Sequence, residues 1–171
     1  MKKHIELTDK ESKILKDVFG ENLDYSKLKY CIGGLYSYKC TRTVGNCVYF
    51  DVETNFEENR GSYFINSLIL HETVHMWQYQ KFGWIYAIGS LWDQLKGFIK
   101  TGSRGAAYRY ALDENKKFSD YGFEQQAQMI QDYWLIKTHN YKFFAKHNCS
   151  NFEDSAEFFE KYEILTNQVK K

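Results

Sequence analysis

The sequence predicts an α+β domain, mainly helical, with a small antiparallel sheet packed on one central helix. Three observations predict it. Helical apolar spacing recurs in five segments, two short β-leaning segments lie between glycine-containing turns, and the 171 residues hold no proline. A chain of this length builds one core, so a single domain over 1–171 is expected.

The elements follow in order. Thr8-Asp9-Lys10-Glu11 has the form of a capping box, in which the Thr8 hydroxyl and Glu11 carboxylate satisfy reciprocal orphan N–H groups. Ile14, Leu15, Val18 and Phe19 then repeat at helical spacing, and Gly20 supplies the stop. Residues 28–32 and 47–52 lean to strand, separated by Gly33-Gly34 and Gly45-Asn46. A polar, acidic loop covers 55–61. A broadly apolar helix is predicted over 62–82 and a second over 84–99, followed by a flexible-looking connection at 101–105. Ser119 or Asp120 caps a long helix to about residue 137. Ser150 or Asn151 opens a last one, ending near residue 168.

Composition narrows the function classes. A formal net charge of +1 gives no reason to expect nucleic acid or an acidic membrane as partner. The longest apolar run, 84–92, is too short to span a bilayer. The stripe Trp84, Ile88, Leu91, Trp92, Leu95 reads as core packing, its lysines being scattered rather than banked on one face. The 14 Tyr, 13 Phe and 4 Trp suit an aromatic core with a partly wet groove. Cys31, Cys40, Cys47 and Cys149 form no Cys-x-x-Cys pair, and the first residues lack the apolar region of a secretory signal. Reduced thiols in a soluble, cytoplasmic protein are the expectation.

The chemistry concentrates in His71-Glu72-Thr73-Val74-His75. On a helix, residues i and i+4 project from one face, so both imidazoles reach one Zn2+ at roughly 2.0–2.1 Å. Glu72 is swung around the helix, where it takes a proton from water in the open coordination position. The motif alone arises by composition in on the order of one chain in a hundred of this size. Its mid-helix place between Leu68-Ile69-Leu70 and Met76-Trp77 strengthens it. The longer pattern ending in a third histidine fails, because Gln78 and Lys81 stand at its Gly and His positions. The third ligand must lie further on, at Glu124, Asp120, Asp132, His139 or, less favoured, Glu114 or His147. Glu124 is preferred: it opens the long helix, and Ala127 on the same face permits close approach to the histidine helix. An oxyanion donor is expected among Tyr108, Arg109, Tyr110 and Tyr121.

Three blocks together carry a resemblance: Gly45-Asn46-Cys47-Val48-Tyr49-Phe50, His71 to His75 followed by Met76-Trp77-Gln78-Tyr79-Gln80, and Phe118-Ser119-Asp120-Tyr121-Gly122-Phe123-Glu124-Gln125-Gln126-Ala127. They resemble the zincin-like, gluzincin-type domain encoded near bacterial contractile injection systems and type VI secretion spike (Vgr-related) proteins. The likeness runs to about Tyr133 and leaves the helix at 150–168 uncovered. It implies a metallopeptidase-like fold, with Glu124 completing a His-His-Glu site. Tyr108, Tyr121 and Asp120, read from the sequence itself, are the candidate oxyanion or supporting groups. Gln128 departs from the pattern, standing where an Asp often follows, and leaves the histidines' supporting groups unassigned. Injected proteins need no secretory signal, so export by an injection system is compatible with this sequence.

The expected activity is zinc-dependent peptide hydrolysis with Glu72 as general base, on a peptide or protein substrate that strand 47–52 can bind by strand addition. The alternatives are a catalytically weak or inactive zinc-containing module that assembles with a spike component, or an injected protease toxin.

Overall fold

The computed structural model describes residues 2–170, with side-chain surroundings for all of these except Asp93, Lys96, Gly97, Lys100, Thr101 and Arg104. The chain divides into two compact units, Met1–Trp84 and Ile85–Lys171.

The first unit joins a four-stranded sheet to two helices. Its elements are β1 (Lys3–Ile5), α1 (Asp9–Phe19), β2 (Lys29–Ile32), β3 (Arg42–Val44), β4 (Cys47–Phe50) and α2 (Tyr63–Phe82). The capping box forms as read: Thr8 N–H donates to Glu11 Oε2 at 2.7 Å and Glu11 N–H to Thr8 Oγ1 at 3.3 Å. The strand order is β1-β2-β4-β3. The sheet is mixed, which corrects the antiparallel expectation. β1 with β2 and β3 with β4 are antiparallel, but β4 runs parallel to β2, with Tyr30 opposite Val48 and Ile32 opposite Phe50. The cause is β3, a three-residue strand that reverses the chain once more before β4 joins β2. β4 ends at Phe50, because Asp51 caps a short 3₁₀ turn, Val52–Thr54, through its side chain.

The sheet and α2 share a core of Leu15, Phe19, Tyr30, Phe50, Phe56, Ile65 and Ile69. Phe50 packs against both Tyr30 and Phe56, at ring-centroid distances of 6.4 and 4.6 Å. Tyr30 and Thr73 share a buried hydroxyl–hydroxyl bond of 2.9 Å, which ties β2 to the middle of α2. Apart from Leu68, every residue of α2 from Ile65 to Gln78 is buried. A helix covered on all faces, not an amphipathic one, therefore carries the histidines.

The second unit is helical: α3 (Ile85–Thr101), α4 (Phe123–His139), α5 (Phe143–Asn148) and α6 (Ala156–Thr166). Residues 118–120, expected to open the long helix, instead form a 3₁₀ turn, and α4 starts after Gly122. The predicted last helix is α6, which opens after Ser155 rather than at 150 or 151, and α5 is a further short helix before it. The Ser155 hydroxyl caps α6 by accepting from Phe158 N–H. Buried Phe158, Tyr162 and Leu135 contribute to this unit's core. Among the described residues, no helix is long and apolar enough to cross a membrane.

Candidate metal centre

The β3–β4 hairpin determines what surrounds α2. Gly45, at φ +62°, opens its two-residue turn, where a positive φ at the first position favours glycine. A Cβ there would sit 3.5 Å from the Tyr79 ring, so the turn lies directly against α2. Asn46 Oδ1 accepts from Gln80 Nε2 at 2.9 Å, and Gln80 Oε1 accepts from Asp24 N–H at 2.8 Å. With the turn pinned at the end of α2, β3 lies beside Glu72. Thr43 Oγ1 donates to Glu72 Oε2 at 2.7 Å and stands 3.2 Å from the Glu72 carbonyl oxygen.

His71 and His75 meet edge-on one turn apart, ring centroids 5.2 Å and planes 76° to one another. Each is 7% exposed, as is Glu72. His75 Nδ1 lies 2.9 Å from Gln78 Oε1, and Gln78 is fully buried. The amide oxygen can only accept, so His75 carries its proton on Nδ1 and donates it to Gln78.

Glu124 stands in the first turn of α4, 3% exposed, and α3 orients its carboxylate. Ser90 Oγ and Gln94 Nε2, one helical turn apart, both donate to Glu124 Oε1, Gln94 at 2.9 Å. Gly89 makes this possible: a Cβ there would lie 2.3 Å from the Phe123 ring, so α3 approaches α4 closely only because the side chain is missing.

His71, His75 and Glu124 each offer one ligand atom, and these atoms lie within 4.8 Å of one another. Two buried imidazoles and one buried carboxylate, with Gln78 beside His75 and with Ser90 and Gln94 beside Glu124, are a donor set suited to zinc.

The other candidates for third ligand are engaged elsewhere. Asp132 is fully buried, accepting from Tyr110 Oη at 2.8 Å and from Gln128 Nε2 at 2.7 Å. Burial pushes the Tyr110 phenol well above its ordinary range, so it stays a donor. His139 is exposed against Trp134, His147 is exposed, and Glu114 pairs with Lys161 at 2.5 Å. Asp120, also exposed, accepts from Lys117 N–H at 2.9 Å. Tyr121 Oη donates to the Ala111 carbonyl at 3.1 Å and accepts from Asp113 N–H at 2.9 Å, so its hydroxyl holds the 111–113 loop. Tyr108 is half-buried at the end of the 3₁₀ turn Arg104–Tyr108.

Sequence reasoning did not find Thr43, Gln78, Ser90 or Gln94. Only Gln78, at i+3 from His75, and the i,i+4 pair Ser90 and Gln94 carried a readable spacing.

The fold has a counterpart among known proteins. The chain is similar to the type VI secretion system spike protein VgrG2b of Pseudomonas aeruginosa. The two are 29% identical over 141 residues, which is 77% of this chain and 13% of the spike protein. The chain thus spans only a small part of that protein's length. Among solved structures it is similar to the effector domain of Pseudomonas aeruginosa VgrG2b, with a TM-score of 0.62 and 27% identity over 82% of this chain and 79% of the domain. No family model matches the chain. These likenesses link it to type VI secretion spike-associated proteins.

Proposed function

We propose that this chain is a secreted effector domain of the spike-associated kind, and that it hydrolyses peptide bonds with the help of a bound divalent metal. The effector role is supported by the likeness to the VgrG2b effector domain. The chemistry is carried by one observation: His71, His75 and Glu124 offer ligand atoms within 4.8 Å of one another. When bound, a zinc ion supplies the Lewis acidity that lets water ionise near neutral pH.

The chain's own residues supply the rest. His71, His75 and Glu124 would hold the ion. Glu72, fixed through Oε2 by Thr43, takes the proton from water and delivers it to the departing amine nitrogen. The burial of the pair and of Glu72 keeps bulk water from competing for that proton.

Two measurements test this reading. Zinc content of purified wild type is compared with that of Glu124→Ala, and full occupancy in the variant removes Glu124 from the site. Hydrolysis of an unstructured protein is compared with Glu72→Gln, and equal rates sink the peptidase assignment. Growth arrest on expression that disappears with Glu72→Gln identifies the activity as toxic.

A second reading, a zinc-holding assembly module without turnover, is favoured by the exposed apolar side of α3, where Ile85, Ile88 and Leu91 are 71%, 70% and 67% exposed. It predicts zinc retention, with Glu72→Gln having no effect on toxicity or proteolysis.

A further inference from the structure

The amphipathic helix α3 is inside out. Its polar Ser90 and Gln94 turn inward to Glu124, while its large apolar side chains face solvent. Ile85, Ile88, Trp92, Leu95 and Ile99 follow the 3-4-3-4 spacing of a heptad seam, and are 71%, 70%, 54%, 46% and 75% exposed. Leu91 and Phe98, 67% and 52% exposed, widen the seam to three apolar positions per heptad, the width of a face that packs inside a helical bundle. This exceeds the scattered apolar exposure of an ordinary monomer surface.

We propose that the outer face of α3 pairs with the same face of a second copy of this chain, as an antiparallel helix pair about a two-fold axis. Two arguments select a second copy. The first is register. With the axis beside residues 93 and 94, Ile88 of one copy meets Ile99 of the other and Trp92 meets Leu95, so one pattern complements itself, as an isologous interface requires. The second is area. With adjacent Trp84, 58% exposed, the side chains present on the order of 800 Å², what one partner contributes to a stable dimer. A lipid surface fits less well, because residues 85–101 hold only two lysines beside one aspartate, short of the basic flank that seats a helix on anionic lipid.

The pairing bears on the proposed metal site, since the inner face of the same helix holds the Glu124 carboxylate. The occupied outer face would fix the helix from which Ser90 and Gln94 reach inward.

The test is sedimentation equilibrium of the purified chain from ~1 to ~100 μM, a range that brackets micromolar self-association. The expected result is a dimer whose dissociation constant rises at least ~100-fold in Trp92→Glu, the central anchor, and in Leu95→Glu. Ile164→Glu, at an exposed apolar position on α6, leaves the dimer intact. Circular dichroism confirms helix content. Should Trp92→Glu fail to fold, Ile99→Glu in the last turn of α3 gives the same reading. A wild type monomeric throughout, or a dimer indifferent to all three stripe variants, overturns the proposal. So does a monomer that floats with phosphatidylcholine–phosphatidylglycerol vesicles through Trp92, which would make lipid the occupant.

Discussion

Thr43 holds Glu72 from a three-residue strand: its hydroxyl donates to Glu72 Oε2 at 2.7 Å. The bond spans 29 positions of sequence and exists because the Gly45-Asn46 turn is pinned to the end of α2. It leaves Oε1 as the oxygen available for proton transfer. If Glu72 is the general base, Thr43→Val frees the carboxylate to rotate, and the hydrolytic rate falls roughly 10- to 100-fold, the usual range for a lost supporting group. Thr43→Ser, which keeps the hydroxyl, retains most of the rate. Steady-state kinetics on one peptide substrate, with zinc content checked in each variant, separates lost positioning from lost metal.

Gln78 does for His75 what Thr43 does for Glu72. Replacing it by Leu keeps the volume but removes the acceptor for Nδ1–H, leaving a buried donor unpaired and the ring free to turn. Zinc affinity is expected to fall about 10- to 100-fold, read by competition with a chromophoric chelator. Unchanged affinity would mean that the ring is held by packing alone.

How far these features could be read in advance depends on the range over which each is decided. The Thr8–Glu11 capping box and the facing of His71 and His75 are local, set within one helical turn, and their residue spacing exposes them. β4 was legible for a similar reason, its four residues Cys47–Phe50 being bounded by a glycine turn and a capping Asp51. β1 and β3 were not, because three residues carry no periodicity and both become strands only through their partners. The parallel pairing of β2 with β4 was hidden for the same reason, since β3 is what reverses the chain before β4. Ser119 or Asp120 is the cap expected for the long helix, but α4 starts after Gly122 and the Asp120 carboxylate caps the 3₁₀ turn before it. The apolar stripe of α3 read as core because apolar spacing reports a face, not its direction. Ser90 and Gln94, bonded to Glu124 from 34 and 30 positions away, are the tertiary fact that turns that face outward.

Glu11 and Arg60 give the first unit an acid-sensitive tie. Arg60 reaches Glu11 with Nε at 3.2 Å and Nη2 at 2.8 Å, and Glu11 is 2% exposed. Burial alone would raise the Glu11 pKa, but the Arg60 and Thr8 hydrogen bonds outweigh it and hold it below 4.5. A lowered carboxylate contributes stability that is present above its unfolded pKa and is lost as pH falls through the folded one. Arg60→Met, which leaves the buried carboxylate without its cation, is expected to cost about 3 kcal/mol at pH 7. Urea denaturation should show this gap narrowing once the pH drops below the folded pKa of Glu11, when both proteins hold it neutral. A pH-independent gap would assign the cost to lost packing.

The four cysteines are free and differ in reach. Burial, with the Cys47 sulfur 3.7 Å away, pushes the Cys31 thiol up to about 11, whereas Cys40 is exposed. At pH 8 the Cys31 thiolate is then about one part in a thousand. Alkylation followed by peptide mass spectrometry should label Cys40 first and Cys31 at least ~100-fold more slowly. Equal labelling would mean that the central β2–β4 pairing opens readily.

Gly89 is where packing and the proposed chemistry meet most directly. In an exposed helix, Gly→Ala stabilises by up to about 1 kcal/mol through lost backbone freedom. At position 89 the added methyl would lie 2.3 Å from Phe123 Cε2 and 2.6 Å from Cδ2, on a ring that Tyr86 also meets edge-on at 6.3 Å. A ring so placed has little room to withdraw, so α3 must move away from α4, at an overpacking cost of about 1–3 kcal/mol that outweighs the helix gain. The shift is felt one residue on, at Ser90, and one turn further, at Gln94, the two donors to Glu124 Oε1. Gly89→Ala should therefore lower the thermal midpoint and also weaken zinc binding roughly 10-fold or more, although the residue touches no proposed ligand. Pairing it with Phe123→Leu, which clears space for the methyl, should restore both. Recovery of stability without recovery of metal affinity would show that Phe123 itself positions Glu124; recovery of neither would place the strain elsewhere along α3.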